Sequence, residues 1–281
     1  MKVAIGPSFF AAVDEAPLNL LKENGLEIVP NPFGRKLTQN EIIDHLKGVH
    51  GLIAGLEPLN QNVFTNSPDL RAIARVGIGM DNVELEAAIN AGIKVSNTPD
   101  SPTDAVAEMT LAAALTLARN IAPSNNAMHQ KKWVKTIGVG IINTNVLIIG
   151  YGRIGRKVSK LFKAIGGHIF VCDPIITKNE LESDEVLVTL EDGLKSADII
   201  TLHAEGNTPI LTTIEFEQMQ NGVMILNSAR GNLIAEGALM KAIESGKVAS
   251  AWMDVFPEEP YMGKLTEYEQ VLLTPHISTY T

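Results

Sequence analysis

The stretch Asn145–Phe162, NVLIIGYGRIGRKVSKLF, decides the fold. Its apolar start reads as a buried strand. Gly150, Gly152 and Gly155 follow as G-x-G-x-x-G, with Arg153 and Ile154 between the last two, and the spacing then turns helical. The first glycine permits a tight turn, the second lets a pyrophosphate approach the backbone, and the third lets helix and strand pack closely. The helix start turns N–H groups and partial positive charge toward phosphates. The next strand, HIFVCD, ends in Asp173, 18 residues beyond Gly155. A carboxylate there can accept hydrogen bonds from both hydroxyls of an adenosine ribose. Strand, glycines, helix and acid in this order predict a dinucleotide site. Asp173 repels a 2′-phosphate, and Pro174 follows it rather than an Arg, which predicts NAD over NADP; Lys178 nearby leaves NADP open.

Outward from this stretch, short β-rich runs alternate with helical patterns. Before it lie VAIG, LEIV, GLIAG, AIARVG and IKVSN, ending at Asn97; after it lie HIFVCD, DIITLHA, VMILN, SAWMDVF and VLLTPHI. Strands recurring after amphipathic helices predict parallel sheets covered by helices. The expected class is α/β, with two Rossmann-like or flavodoxin-like domains, parallel sheets and a cleft between them. Residues 1–98 form the first domain, 99–275 the second, and 276–281 a short return segment. NTPDSPTD (97–104) has the composition of a turn and a cap, with Thr103 or Asp104 the expected cap. The helix expected over 105–121 is almost wholly apolar, which suits a core helix or a subunit-interface helix.

Composition narrows the classes. With 45% hydrophobic and 20% charged residues the 281-residue chain is globular in type, which excludes disorder. A net charge of −9 without a Lys/Arg block argues against nucleic acid or an anionic membrane as partner, though not against a small anion held locally. One cysteine, Cys172, excludes an internal disulfide and, with nine Met, suits a reducing cytoplasm. No run reaches the roughly 20 apolar residues of a membrane span. No His/Cys/Asp cluster has metal-ligand spacing.

Three further segments carry chemistry: ILNSARGNLIAEGAL (225–239), WMDVFPEEP (252–260) and LLTPHIS (272–278). Together with RVGIGMDNVELEAAINAGIKVSNTP, DAVAEMTLAAALTLAR and IIGYGRIGRKV, in this order, they make the chain resemble the D-isomer-specific 2-hydroxyacid dehydrogenases, most closely the phosphoglycerate dehydrogenase branch. The resemblance covers most of the chain. It implies NAD-dependent exchange of a hydride between the cofactor and a small anionic 2-hydroxy or 2-oxo acid, and a homodimer. It places the catalytic Arg at Arg230, the Glu at Glu259 and the His at His276. Ala229 and Asp254 fall at cofactor positions, Asp254 at the one that holds the nicotinamide carboxamide. Arg75, Val76, Gly77, Ile78 and Gly79 fall in the loop that receives the substrate. The chemistry suits these types. Arg offers a planar, charged fork to a carboxylate and polarises the neighbouring carbonyl. His can give and take the proton, and a Glu on its other ring nitrogen orients it and favours its charged form.

Three departures accompany the resemblance. Glu205, Gly206 and Asn207 replace a Pro-Leu-Thr loop beside the cofactor, and no role is carried over to His203. Asp100 and Pro102 replace a Gly and an Asn near the hinge. Family members continue past the His into a helix that returns to the first domain, and a chain ending at Thr281 is expected to lack it. Within the same family, NAD-binding corepressors offer the alternative of a non-catalytic regulator.

Overall fold

Strand β6 (Asn145–Ile149) shows why the chain folds as it does. Leu147 and Ile149 enter one apolar cluster, and Val146 and Ile148 enter another on the opposite face. Side chains alternate across a strand, so a strand apolar at every position must be covered on both sides. Fully burying each such side chain is worth about 1.5–3 kcal/mol. β9 (Ile199–Leu202) and β10 (Val223–Asn227) are buried throughout in the same way. The computed structural model describes residues 1–280.

The chain divides into two compact units, Met1–Pro102 and Thr103–Thr281. Unit 1 holds a parallel five-stranded sheet of order β2-β1-β3-β4-β5. Its strands are β1 (Lys2–Ile5), β2 (Glu27–Val29), β3 (Gly51–Ala54), β4 (Ala72–Arg75) and β5 (Lys94–Asn97). Helices α1 (Ala16–Glu23), α2 (Gln39–His45), α3 (Gln61–Thr65) and α4 (Leu85–Asn90) connect them, and the core gathers Ile42, Leu46, Leu52, Val63 and Ile73.

Unit 2 holds a parallel seven-stranded sheet of order β12-β11-β10-β9-β6-β7-β8. β7 (His168–Cys172), β8 (Glu185–Leu187), β11 (Val248–Met253) and β12 (Val271–Leu273) complete it. α8 (Leu190–Ser196), α9 (Thr213–Gln218) and α10 (Glu236–Glu244) supply Leu194, Phe216 and Leu239 to one face. α5 (Thr103–Ala118) and α7 (Arg153–Ala164) supply Ala107, Ala114, Val158 and Phe162 to the other. The expected α/β class with parallel sheets is what the chain adopts.

The helix expected over 105–121 differs in both ends. α5 starts at Thr103, so neither expected cap acts as one: the Thr103 hydroxyl is buried without a hydrogen-bond partner, and Asp104 pairs with Lys157 at 2.8 Å. It stops at Ala118 because Val139 N–H donates to the Ala118 carbonyl at 2.8 Å and Asn120 turns left-handed, at φ +51°. A second helix, α6 (Ile121–His129), then leaves at 64°. Among the described residues no single helix is long and apolar enough to cross a membrane; α5 and α6 pass that test of length and composition only as a bent pair.

Candidate active site

The glycine loop of unit 2 is explained by close approaches. Gly150 has φ +93°, and a Cβ there would run into the backbone of His203 and Ala204 at the end of β9. A Cβ on Gly155 would overlap the carbonyl of Gly150. Gly152, the N-cap of α7, faces open space instead: no atom lies within 4 Å of where its Cβ would be. The amides of the first helical turn have no carbonyl one turn earlier to accept them. The loop is thus shaped to take an anionic group on its open side.

Asp173 stands at the end of β7 and is held there by amides. Tyr151 N–H donates to its Oδ2 at 2.7 Å, and Ile175 and Ile176 N–H donate to its Oδ1 at 2.9 and 3.3 Å. The carboxylate therefore pins the glycine loop while keeping acceptor capacity for sugar hydroxyls. Open glycine, helix start and acid fit a dinucleotide.

A second support escaped the sequence reading. Tyr151 is buried, its hydroxyl donates to Glu185 on β8, and the Ser159 hydroxyl donates to the same carboxylate. Burial pushes the Tyr151 phenol up, and the Glu185 carboxylate adds to it. The Arg156 guanidinium lies 4.5 Å over the Tyr151 ring. β8 itself was not foreseen, because EVL is short and carries a charge where an apolar side chain would mark a strand.

His203, left without a role, has one in packing. Its Nε2 lies 2.8 Å from Thr201 Oγ1, and desolvation pushes the imidazole down to about 3. It is neutral when folded, whereas an unfolded His takes up a proton near pH 6.5. Below 6.5 the unfolded state binds more protons, so this residue costs stability as the pH falls from 6.5 toward 3, by up to about 1.4 kcal/mol per unit. We expect His203→Gln to flatten the fall of melting temperature below pH 6; parallel curves for variant and wild type would refute this.

The loops after β10, β11 and β12 carry the three expected catalytic residues, Arg230, Glu259 and His276 in turn. Buried Asn227 closes the first loop: its Nδ2 donates to the Arg230 carbonyl at 2.9 Å, and its Oδ1 accepts from Ala229 N–H at 3.0 Å. Arg230 is half-buried, with Nη1 on the Ala229 carbonyl at 2.7 Å. A Cβ on Gly231 would overlap the backbone of Phe256 and Pro257, so glycine there lets the two loops press together. Glu259 lies on the second loop, where its Oε1 accepts from Phe256 N–H at 3.1 Å. Its Oε2 lies 2.9 Å from Nδ1 of His276. Both side chains keep partial exposure, 26% and 34%. With the carboxylate on Nδ1, Nε2 is the nitrogen turned to other business.

His276 has φ +54°, a region that a side-chain-bearing residue enters only when its surroundings impose it. Asp254, fully buried at the end of β11, imposes it. Its Oδ1 accepts from the Thr274 hydroxyl at 2.5 Å and Ile277 N–H at 3.0 Å. Its Oδ2 accepts from Ser278 N–H at 3.0 Å and from the Ser278 hydroxyl. Each oxygen of Asp254, the residue expected at the nicotinamide carboxamide, takes two donors from the segment around His276.

In unit 1, Arg75 ends β4 and donates to the Val76 carbonyl. Gly77 has φ +132°, and a Cβ there would overlap the Arg75 guanidinium. The loop was expected to offer its amides to a substrate. Val76 N–H goes to the Ala54 carbonyl at 2.9 Å and Gly77 N–H to Thr98 Oγ1 at 2.7 Å.

The chain as a whole has relatives among known proteins. Residues 111–278 match the model of the D-isomer specific 2-hydroxyacid dehydrogenase NAD binding domain. The chain is 34% identical over 278 residues to a D-3-phosphoglycerate dehydrogenase of Pongo abelii and 31% to one of Archaeoglobus fulgidus, in each case 96% of this chain and 52% of the relative. It spans about half the length of these curated relatives. D-lactate dehydrogenase of Escherichia coli superposes with a TM-score of 0.88 at 27% identity, over 100% of this chain and 91% of that one. The chain belongs to the D-isomer specific 2-hydroxyacid dehydrogenase family, and its second unit carries that family's NAD-binding domain.

Proposed function

We propose that the protein interconverts a small D-2-hydroxy acid and its 2-oxo acid. The observation that carries this is the 2.9 Å pairing of His276 Nδ1 with Glu259, beside the loop that presents Arg230. Bound at the Gly150–Gly155 loop and Asp173, NAD would supply or accept the hydride. Arg230 would bind the substrate carboxylate and draw charge onto the adjacent carbonyl oxygen. His276 would give its Nε2 proton to that oxygen on reduction and recover it on oxidation. Glu259 would hold the ring so that Nε2, not Nδ1, meets the substrate. Asp254 would fix the segment that carries His276.

For the far end of the substrate two readings have support. A phosphate, as in D-3-phosphoglycerate, is favoured by the relatives' names and by Arg75. An uncharged end is favoured by the buried Glu57 near Arg75, argued below. The test is NADH oxidation against a panel of 2-oxo acids that includes phosphohydroxypyruvate, hydroxypyruvate, glyoxylate and pyruvate. Turnover on one or more is expected. Binding of NADH with no turnover on any of them would replace the enzyme by an NAD-responsive regulator.

A homodimer formed through the region after α5 is part of the same proposal. Trp133 is 78% and Ile137 96% exposed there, and Val134, Val139 and Ile142 are exposed too, apolar side chains that a partner subunit would take from water. Trp133→Glu with Ile137→Glu is expected to halve the mass seen by sedimentation; a wild-type monomer would remove the idea. The unpaired Cys172 suits a cytoplasmic setting.

A further inference from the structure

Glu57 is the one charged residue that unit 1 buries among the described residues, at 1% exposure. Its position in the sheet is specific. The order β2-β1-β3-β4-β5 changes direction between β1 and β3. In open α/β sheets ligands bind outside the carboxyl ends of the strands at such a switch point. Gly6 directly follows β1 and Gly55 directly follows β3. The Glu57 carboxyl lies against both: a Cβ on Gly6 would overlap it, and one on Gly55 would stand 3.0 Å from Oε2. Gly55 N–H donates to Oε1 at 2.9 Å. Asn82 Nδ2 donates to the carbonyls of Glu57, at 2.7 Å, and Gly55, at 3.1 Å, which fixes the turn.

The packing gives no reason for a charge here. A Gln of similar length would fill the space and still accept from Gly55 N–H, without the cost of desolvating a carboxylate. Burial pushes the Glu57 carboxyl up; backbone N–H groups of Glu57 and Gly55 pull it back, and so, less strongly, do two cations: half-buried Arg75 at the end of β4 and exposed Lys36 ahead of α2. Lys36 is screened by water, so Arg75 is the partner that matters.

We infer that Glu57 sets the substrate class: it offsets the charge of Arg75 at the switch point, so that unit 1 takes a 2-hydroxy or 2-oxo acid with an uncharged, hydroxyl-bearing far end in preference to one ending in a second anion such as phosphate. The inference rests on the proposed function. An anion beside Arg75 also meets the Glu57 carboxylate in a poorly solvated place, where like charges repel strongly and build discrimination. A hydroxyl carries no charge for the buried carboxylate to repel.

The test is Glu57→Gln, which keeps the shape and removes the charge, with Glu57→Asp as the conservative control. In wild type, kcat/KM should favour hydroxypyruvate over phosphohydroxypyruvate by tenfold or more. Glu57→Gln should shift that ratio at least tenfold toward the phosphorylated acid, mainly through its KM, and Glu57→Asp should keep most of the wild-type preference. A merely structural Glu57 would weaken both substrates alike in Glu57→Gln, and that result overturns the inference. Calorimetric titration with 3-phosphoglycerate, on samples matched by melting temperature, gives a reading without turnover. Tighter binding to Glu57→Gln supports the inference even if no 2-oxo acid is reduced, which would then count against the proposed function alone. Equal binding to both proteins overturns it.

Discussion

Arg230→Ala is expected to lower kcat/KM on the preferred 2-oxo acid by about 10²-fold or more. Removing a preorganised donor from the charge that develops on a carbonyl oxygen costs about 2.7–4 kcal/mol of barrier. The loop should survive the change. Asn227 braces it through the main-chain carbonyl of Arg230 and the amide of Ala229, and neither bond involves the guanidinium. The side chain gives up its hydrogen bond to the Ala229 carbonyl, which the brace does not use. Arg230→Lys keeps the charge and loses the planar fork, so its rate should fall between the two. NADH affinity, measured by fluorescence titration, should move far less than the rate. Near wild-type turnover in Arg230→Ala would remove Arg230 from the chemistry.

What was legible in the sequence follows from how local each constraint is. The glycines at 150 and 155 could be read because each answers to atoms a few residues away or to the end of a neighbouring strand, and Gly152 because the fingerprint needs open space there. Strands buried on both faces could be read because every position must be apolar. The break at Asn120 could not: Arg119 and Asn120 are polar, but apolar Ile121 and Ala122 follow at once, and the turn is set by a left-handed Asn and by Val139 returning to Ala118. Nor could the clamp of Asp254 on the segment around His276, which joins residues 20 to 24 apart through hydroxyls and amides that leave no periodic trace. Glu57 looked like any acid in a loop. Only the meeting of the ends of β1 and β3 turns it into a buried charge between two glycines.

The pairing of His276 with Glu259 allows a sharper test than either single substitution. His276→Ala removes the proton donor and should cost roughly 10²–10⁴-fold in kcat. Added imidazole should restore part of that rate, because a small donor can enter the space the ring leaves. Glu259→Gln should cost less, because its effect passes through the ring it orients: the amide is neutral and can turn an N–H toward Nδ1 where the carboxylate accepts. If orientation of His276 is all that Glu259 does, Glu259→Gln has nothing to act on once the imidazole is gone. The double variant should then be no slower than His276→Ala alone, a strongly non-additive cycle. Additive losses would mean that Glu259 reaches the reaction by another route. The Phe256 amide it also holds, on the loop pressed against Gly231, would be the first place to look.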